Sequence, residues 1–331
     1  MSSAPNDLSL GQRSAIKQQG EDVNRRSQTH SLCLAILLAL AASGCAVSQK
    51  TKVKPSEVRV AKTTSEADLI ATYNRIASSI RSINATIEMI PTAGSAYSGV
   101  IEQYHQVNGF ILAQRPDEIR VIGQAPVISK NIFDMTSDGK EFHIYIPSKN
   151  QFIVGPANLE REAKKPIENL RPQHLVDALF WPEIREGAPK LFEEFNDAND
   201  RYYIVTLLRE DPSLAIDRKL WFDRTDLNLS RIEVFDDAGR VLSDIRLSDW
   251  HPITPAAANP SGASAATAET ATTSLIYPRS ILIRRPHDDY QLQIKITKLT
   301  VNEPISADRF ELKQPPGTEL VQLQNEGSPG H

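Results

Sequence analysis

The sequence predicts a mainly β, α+β fold: a strongly curved antiparallel sheet of about eleven or twelve strands with two helices laid across it. Two observations carry this. From Ile83 onward apolar and polar residues alternate in short runs separated by turn residues, whereas 68–83 and 172–181 place apolar residues three and four apart. An open sheet tends to curl or split beyond ~10 strands. A curved sheet with one apolar face makes a groove, and two apolar helices are its natural covers.

The first helix opens at Thr63, Thr64 and Ser65, whose oxygens suit an N-cap, with Glu66 and Asp68 at the positive end. Leu69, Ile70, Tyr73, Ile76, Ala77, Ile80 and Ile83 then form one stripe, opposite Arg75, Ser78, Ser79 and Arg81. Candidate strands follow at Ala85–Ile90, Tyr97–Gln106, Gly109–Arg115, Glu118–Gly123, Asn131–Thr136, Glu141–Pro147 and Gln151–Gly155. In the sixth of these, Phe142, Ile144 and Ile146 share one face and Glu141, His143 and Tyr145 the other, which reads as a sheet with one apolar side.

The second helix, Pro172 to Trp181, carries Leu175, Val176, Ala178, Leu179 and Phe180 and is stopped by Pro182. Strands resume at Lys190–Asn196, Arg201–Arg209, Ile216–Arg224, Ser230–Asp236 and Arg240–Trp250, the last two joined by the turn Asp236-Asp-Ala-Gly. Residues 255–274, rich in Ala, Ser and Thr, lack the apolar bulk to offset ordering and read as a mobile insertion in a hairpin loop. Tyr277–Arg285 and Asp289–Thr300 form the closing pair, in which Tyr290, Leu292, Ile294 and Ile296 alternate with Gln291, Gln293, Lys295 and Thr297. The expected body is therefore 66–316, with a disordered tail over 317–331.

Before this body, an uncharged run from Ser31 ends in Ala42-Ser43-Gly44-Cys45, with Arg25 and Arg26 shortly upstream. Its apolar stretch, Leu32–Ala42, is eleven residues, short of the ~20 that span a bilayer and of signal-peptide length. Small residues directly before a cysteine resemble the lipobox of bacterial lipoproteins, although Ala42 stands where Leu is commoner. The resemblance implies that 1–44 is a signal peptide with an over-extended N-terminus. It further implies that Cys45 is the first mature residue and the lipid attachment site, holding the chain to a membrane by its acyl chains. Ala46, rather than Asp, implies the outer membrane. An ordinary signal or an uncleaved anchor is the alternative. Residues 45–65 carry Lys50, Lys52, Lys54, Arg59 and Lys62 against Glu57, the pattern of a solvated basic tether.

Several classes are disfavoured. Without residues 1–44, 33 basic and 38 acidic residues remain, a formal charge of −5 that argues against nucleic acid. Cys33 leaves with the signal and Cys45 is consumed by lipid, so no thiol is left for a disulfide, a zinc site or a nucleophile. The seven histidines are scattered, and no hydrolase, metalloprotease, phosphate-binding or dinucleotide motif occurs, so neither a catalytic residue, a metal nor a cofactor is expected. His174 and Asp177, three apart, read as a solvated helix face, and the pair Glu193-Glu194 as solvated charge beside a turn. Trp181, Trp221 and Trp250 read as core and rim residues, with pocket lining as the alternative.

The chain resembles the LolA/LolB-like lipoprotein carrier and receptor family. The resemblance rests on the lipobox, the helix running into strands, Ile132-Phe-Asp-Met-Thr-Ser-Asp-Gly-Lys, Phe142-His-Ile-Tyr-Ile-Pro, Leu220-Trp-Phe-Asp-Arg, and the ending Asn302-Glu-Pro-Ile-Ser-Ala-Asp-Arg-Phe-Glu-Leu-Lys-Gln-Pro-Pro-Gly. It implies an incomplete β-barrel with a helical lid over an apolar cavity that takes lipid or lipoprotein acyl chains, in a monomeric protein facing the periplasm. Leu69, Tyr73, Ile76, Ile80, Phe142, Ile144, Ile146, Leu175, Leu179, Leu292, Ile294 and Ile296 are the candidate lid and cavity lining. Val127 and Ile128 are the candidate membrane-contact loop. The alternative is a structural envelope lipoprotein that binds a protein partner by its sheet edge or lid, without lipid transfer.

Overall fold

Helix α1 (Glu66–Ser79) begins where the capping residues place it: the Ser65 hydroxyl accepts the Asp68 backbone N–H at 3.1 Å. It ends before Ile83, four residues short of the apolar stripe's expected reach. The reason lies far along the chain, 223 residues from Ser79. Asn302, at φ +63°, donates its amide to the Ser79 carbonyl (2.7 Å) and accepts the Arg81 N–H (2.8 Å). With those groups satisfied by one side chain, Ile83 is free to enter β1 (Ser82–Ser95).

The computed structural model describes residues 60–95, 100–126, 130–159, 171–197, 200–211, 213–253 and 275–324. Cys45, Val127, Ile128 and the insertion 255–274 lie outside them. After β1 come β2 (Val100–Gln103), β3 (Val107–Gln114), β4 (Glu118–Gln124), β5 (Asn131–Ser137), β6 (Glu141–Ile146) and β7 (Gln151–Pro156). Helix α2 (Pro172–Leu179) follows, then β8 (Lys190–Asn196), β9 (Arg201–Arg209), β10 (Ala215–Asp223), β11 (Leu229–Phe235) and β12 (Val241–Ile253). The chain closes with β13 (Leu275–Arg285), β14 (Tyr290–Val301) and β15 (Glu319–Gln322). No helix among the described residues is long and apolar enough to cross a membrane.

All these strands belong to one sheet in the order β15-β7-β6-β5-β4-β3-β1-β14-β13-β12-β11-β10-β9-β8, with β2 paired to β1. Its two ends do not meet, so the barrel is incomplete. Every pairing is antiparallel except β15 on β7. The described strands number fifteen rather than eleven or twelve. Each of the fourteen segments named from the sequence forms a strand, and the fifteenth is β15, which corrects the expectation of a tail disordered from 317. Asn150 fixes that tail, donating its side-chain amide to the Gly317 carbonyl (2.8 Å) while its own carbonyl accepts the Glu319 N–H (2.9 Å). Leu320 then sits opposite Phe152.

Alternation gives the sheet one apolar face. Ile83, Ala85, Ile87 and Met89 of β1, Leu292, Ile294 and Ile296 of β14, and Tyr277, Ile281 and Ile283 of β13 are all buried on it, together with Leu220 and Phe222 of β10. Both helices lie on this face. The other face is charged: Arg120 grips Asp134 at 2.7 Å and Arg231 grips Asp244 at 2.7 Å. Register shifts at Thr86/Ile87, Gly123/Gln124, Ile216/Arg218, Trp221/Phe222 and Val234/Phe235 add local twist, as bulges do.

Candidate functional site

The concave face is closed by aromatic side chains that also join the two helices. Trp181, just past α2, stacks on Tyr277 (5.9 Å, 9°) and Tyr73 (6.3 Å, 22°) and tilts against Trp250 (5.8 Å). Tyr73 in turn meets Phe222 edge-on at 6.2 Å. The Tyr73 hydroxyl donates to the Pro182 carbonyl (2.8 Å) and the Tyr277 hydroxyl to the Leu179 carbonyl (2.9 Å). Burial pushes both phenol pKa values up. Asn74 of α1 makes a two-way bond with the backbone of Ile184, donating to its carbonyl (2.9 Å) and accepting its N–H (2.8 Å).

Arg115, after β3, supplies the remaining donors. Its guanidinium reaches the carbonyls of Ile80 (3.0 Å), Ala77 (3.0 Å) and Trp181 (2.8 Å), and it lies over the Phe180 ring at 5.1 Å. A cation there meets the negative end of α1. Burial lowers the Arg115 pKa.

Of the residues singled out in the sequence, Leu69, Tyr73, Ile76, Ile80, Leu175, Leu179, Leu292, Ile294 and Ile296 share one apolar cluster, with Ile144 packed against it. Phe142 is buried beneath the Arg171 guanidinium (5.5 Å), and Ile146 is half-buried at the end of β6. Among the described residues, these side chains pack the space between helices and sheet. The void bounded by Leu69, Ile76, Phe222, Leu229 and Trp250 is only about 20 Å³.

The larger space is a pocket of about 660 Å³ beside α2, within the ~300–1,000 Å³ range of small-molecule sites. Val176, Phe180, Ile232 and Val234 form its apolar walls, and Arg115, Asp117, Asp177 and Arg218 its polar part. Pro116 in the β3–β4 turn and Val234 of β11 both line it. Five strand spacings, ~24 Å in a flat sheet, separate β3 from β11, so a shared pocket requires strong curvature. Tyr73 and Trp181 wall both this pocket and the interior void. The walls around Asp177 raise its carboxyl pKa, with Arg218 opposing.

His174 is not on a solvated face. It turns inward, its Nδ1 hydrogen-bonded to the Tyr290 hydroxyl and its ring stacked on the same residue at 6.1 Å. Burial, then Arg285 and Arg171, hold its pKa well below 6.5. Glu194 is exposed near the end of β8, beside the turn as expected, and is ion-paired with Arg224. Arg115, Asn74 and Asn302 gave no sequence signal, because their partners are backbone carbonyls and N–H groups distant along the chain. Among the described residues, no group of three or more His, Cys, Asp and Glu stands together as a metal site would require.

No family model matches the chain, and no curated protein does. Solved structures do. They include a DUF1329 family protein from Desulfovibrio piger, at 13% identity and TM-score 0.44, covering 74% of this chain and 95% of that one. A LolA superfamily protein from Nitrosomonas europaea overlays at 12% identity and TM-score 0.43, covering 76% and 99%. An outer membrane lipoprotein-sorting protein domain from Vibrio parahaemolyticus overlays at 9% identity and TM-score 0.44, covering 73% and 95%.

Proposed function

We propose that this chain is an envelope lipoprotein, held by acyl chains on Cys45 at the periplasmic side of the outer membrane, whose concave face receives acyl chains of lipids or lipoproteins. The observation that supports it is the pair Tyr73 and Trp181, which stand between an outer pocket of about 660 Å³ and the apolar interior. A tail entering beside Val176 and Phe180 meets these rings, and their outward movement with the helices would open the inner face of β13 and β14.

The energetics suit exchange rather than chemistry. Each methylene taken from water gains ~0.8 kcal/mol. Inside the groove the tail replaces Leu69, Ile76, Leu175 and Leu179 against the sheet, one apolar contact for another, so opening costs chiefly the hydrogen bonds of Tyr73, Tyr277, Asn74 and Arg115. Transfer is then a partition between groove and bilayer, with no nucleotide and no covalent step.

Native mass spectrometry of a Cys45→Ser chain, which cannot be acylated, tests this reading. Co-purifying adducts of lipid mass that a fatty acid displaces are the expected result. An adduct-free chain that also takes up no added fatty acid would remove the carrier reading.

A further inference from the structure

The two edges of the sheet are treated differently. On one side the sheet ends in β15, laid on β7 by the chain's own C-terminal segment and only four residues long, as blunted edges often are. On the other side β8 pairs with β9 and, among the described residues, with nothing else. Natural edge strands are blunted by Pro, by outward Lys or by bulges. β8, Lys-Leu-Phe-Glu-Glu-Phe-Asn, has no Pro and no register shift against β9, and its one Lys, Lys190, is turned to Glu66 at 3.5 Å.

Instead the strand shows apolar groups to solvent. Leu191 is 61% and Phe195 40% exposed, and strand alternation puts them on one face with Glu193 between. Phe195 continues an aromatic row, stacked on Tyr202 (6.4 Å) and edge-on to Trp221 (6.0 Å). We infer that β8 is a strand-addition site for an extended segment of another protein in which apolar residues alternate with basic ones. Backbone pairing supplies the attachment, Leu191 and Phe195 receive the apolar side chains, and Glu193 selects a Lys or Arg opposite it. A second copy of this chain fits poorly, since antiparallel self-pairing centred on β8 sets Glu193 against Glu193. The inference is independent of acyl-chain binding, because these residues lie on the face away from the helices.

The test uses the full Cys45→Ser chain and two fluorescein-labelled nonapeptides, one alternating Val and Lys, the other Val and Glu. Anisotropy titration is expected to show saturable binding of the Val/Lys peptide, tighter than the Val/Glu peptide by ~tenfold or more. Glu193→Lys reverses that preference, and Leu191→Thr with Phe195→Thr abolishes binding. Backbone amide exchange of the unsubstituted chain, which does not depend on any variant folding, slows over 190–196 when the peptide is bound. No binding of the Val/Lys peptide, equal binding of both peptides, protection elsewhere than 190–196, or dimerisation of the chain through β8 would each overturn the inference.

Discussion

The Tyr277 hydroxyl donates to the carbonyl of Leu179 at 2.9 Å, joining the floor of the sheet to the last residue of α2. That carbonyl belongs to the final turn and has no donor within the helix. Tyr277→Phe removes the donor and leaves a buried acceptor unpaired. A loss of ~1–3 kcal/mol in urea unfolding, with an unchanged m value, is the expected outcome.

Arg115 does the same for three carbonyls at once. Arg115→Met should cost about 3 kcal/mol by the same measurement, because hydrogen bonds from a charged donor are among the stronger ones. Arg115→Lys should fall between the two, since an ammonium keeps the charge but not the planar fork.

Gly109 marks where β3 and β4 approach too closely for a side chain. A Cβ there would lie 2.3 Å from the Ile122 carbonyl oxygen, which is backbone and cannot rotate away. Gly109→Ala should therefore force the strands apart and destabilise the chain by ~1–3 kcal/mol, seen as a lower Tm.

His174 and Asp177 give stability a pH dependence of opposite sign. His174 is kept neutral in the folded chain, whereas unfolded it titrates near 6.5. Below that pH the unfolded chain binds a proton that the folded chain refuses, so stability falls as pH drops from 6.5 toward the depressed folded pKa. Asp177 has a folded pKa above 3.8, so its ionisation costs stability as pH rises through that window. His174→Gln, which can still reach Tyr290, should flatten the unfolding free energy against pH below 6.5. Asp177→Asn should remove the opposing slope above pH 3.8.

What the sequence makes legible is periodicity. Leu292, Ile294 and Ile296 alternate in the sequence and are buried on one face in the structure, and Leu69, Tyr73 and Ile76 repeat helically and pack on the same core. What stays hidden is pairing across distance. Nothing near Ser79 signals that Asn302 will stop α1 there, and nothing in Glu319–Gln322 signals a strand, because β7 supplies the edge it needs. Direction is hidden too. His174 and Asp177 sit on one short helix, but only the curvature of the sheet decides that the first meets Tyr290 and the second a pocket. Trp181 and Trp221 look alike in the chain, yet one stacks on Tyr277 inside and the other lies beside Tyr202 on the opposite face.

That difference between the tryptophans provides the most direct measurement of acyl-chain binding under the helices. Two variants of the Cys45→Ser chain keep a single tryptophan each, Trp181 or Trp221, with the others changed to Phe. Titration with a fatty acid brominated along its tail should quench Trp181 saturably and leave Trp221 unchanged. Quenching of neither, or of Trp221 alone, would contradict a groove that takes hydrocarbon between helices and sheet.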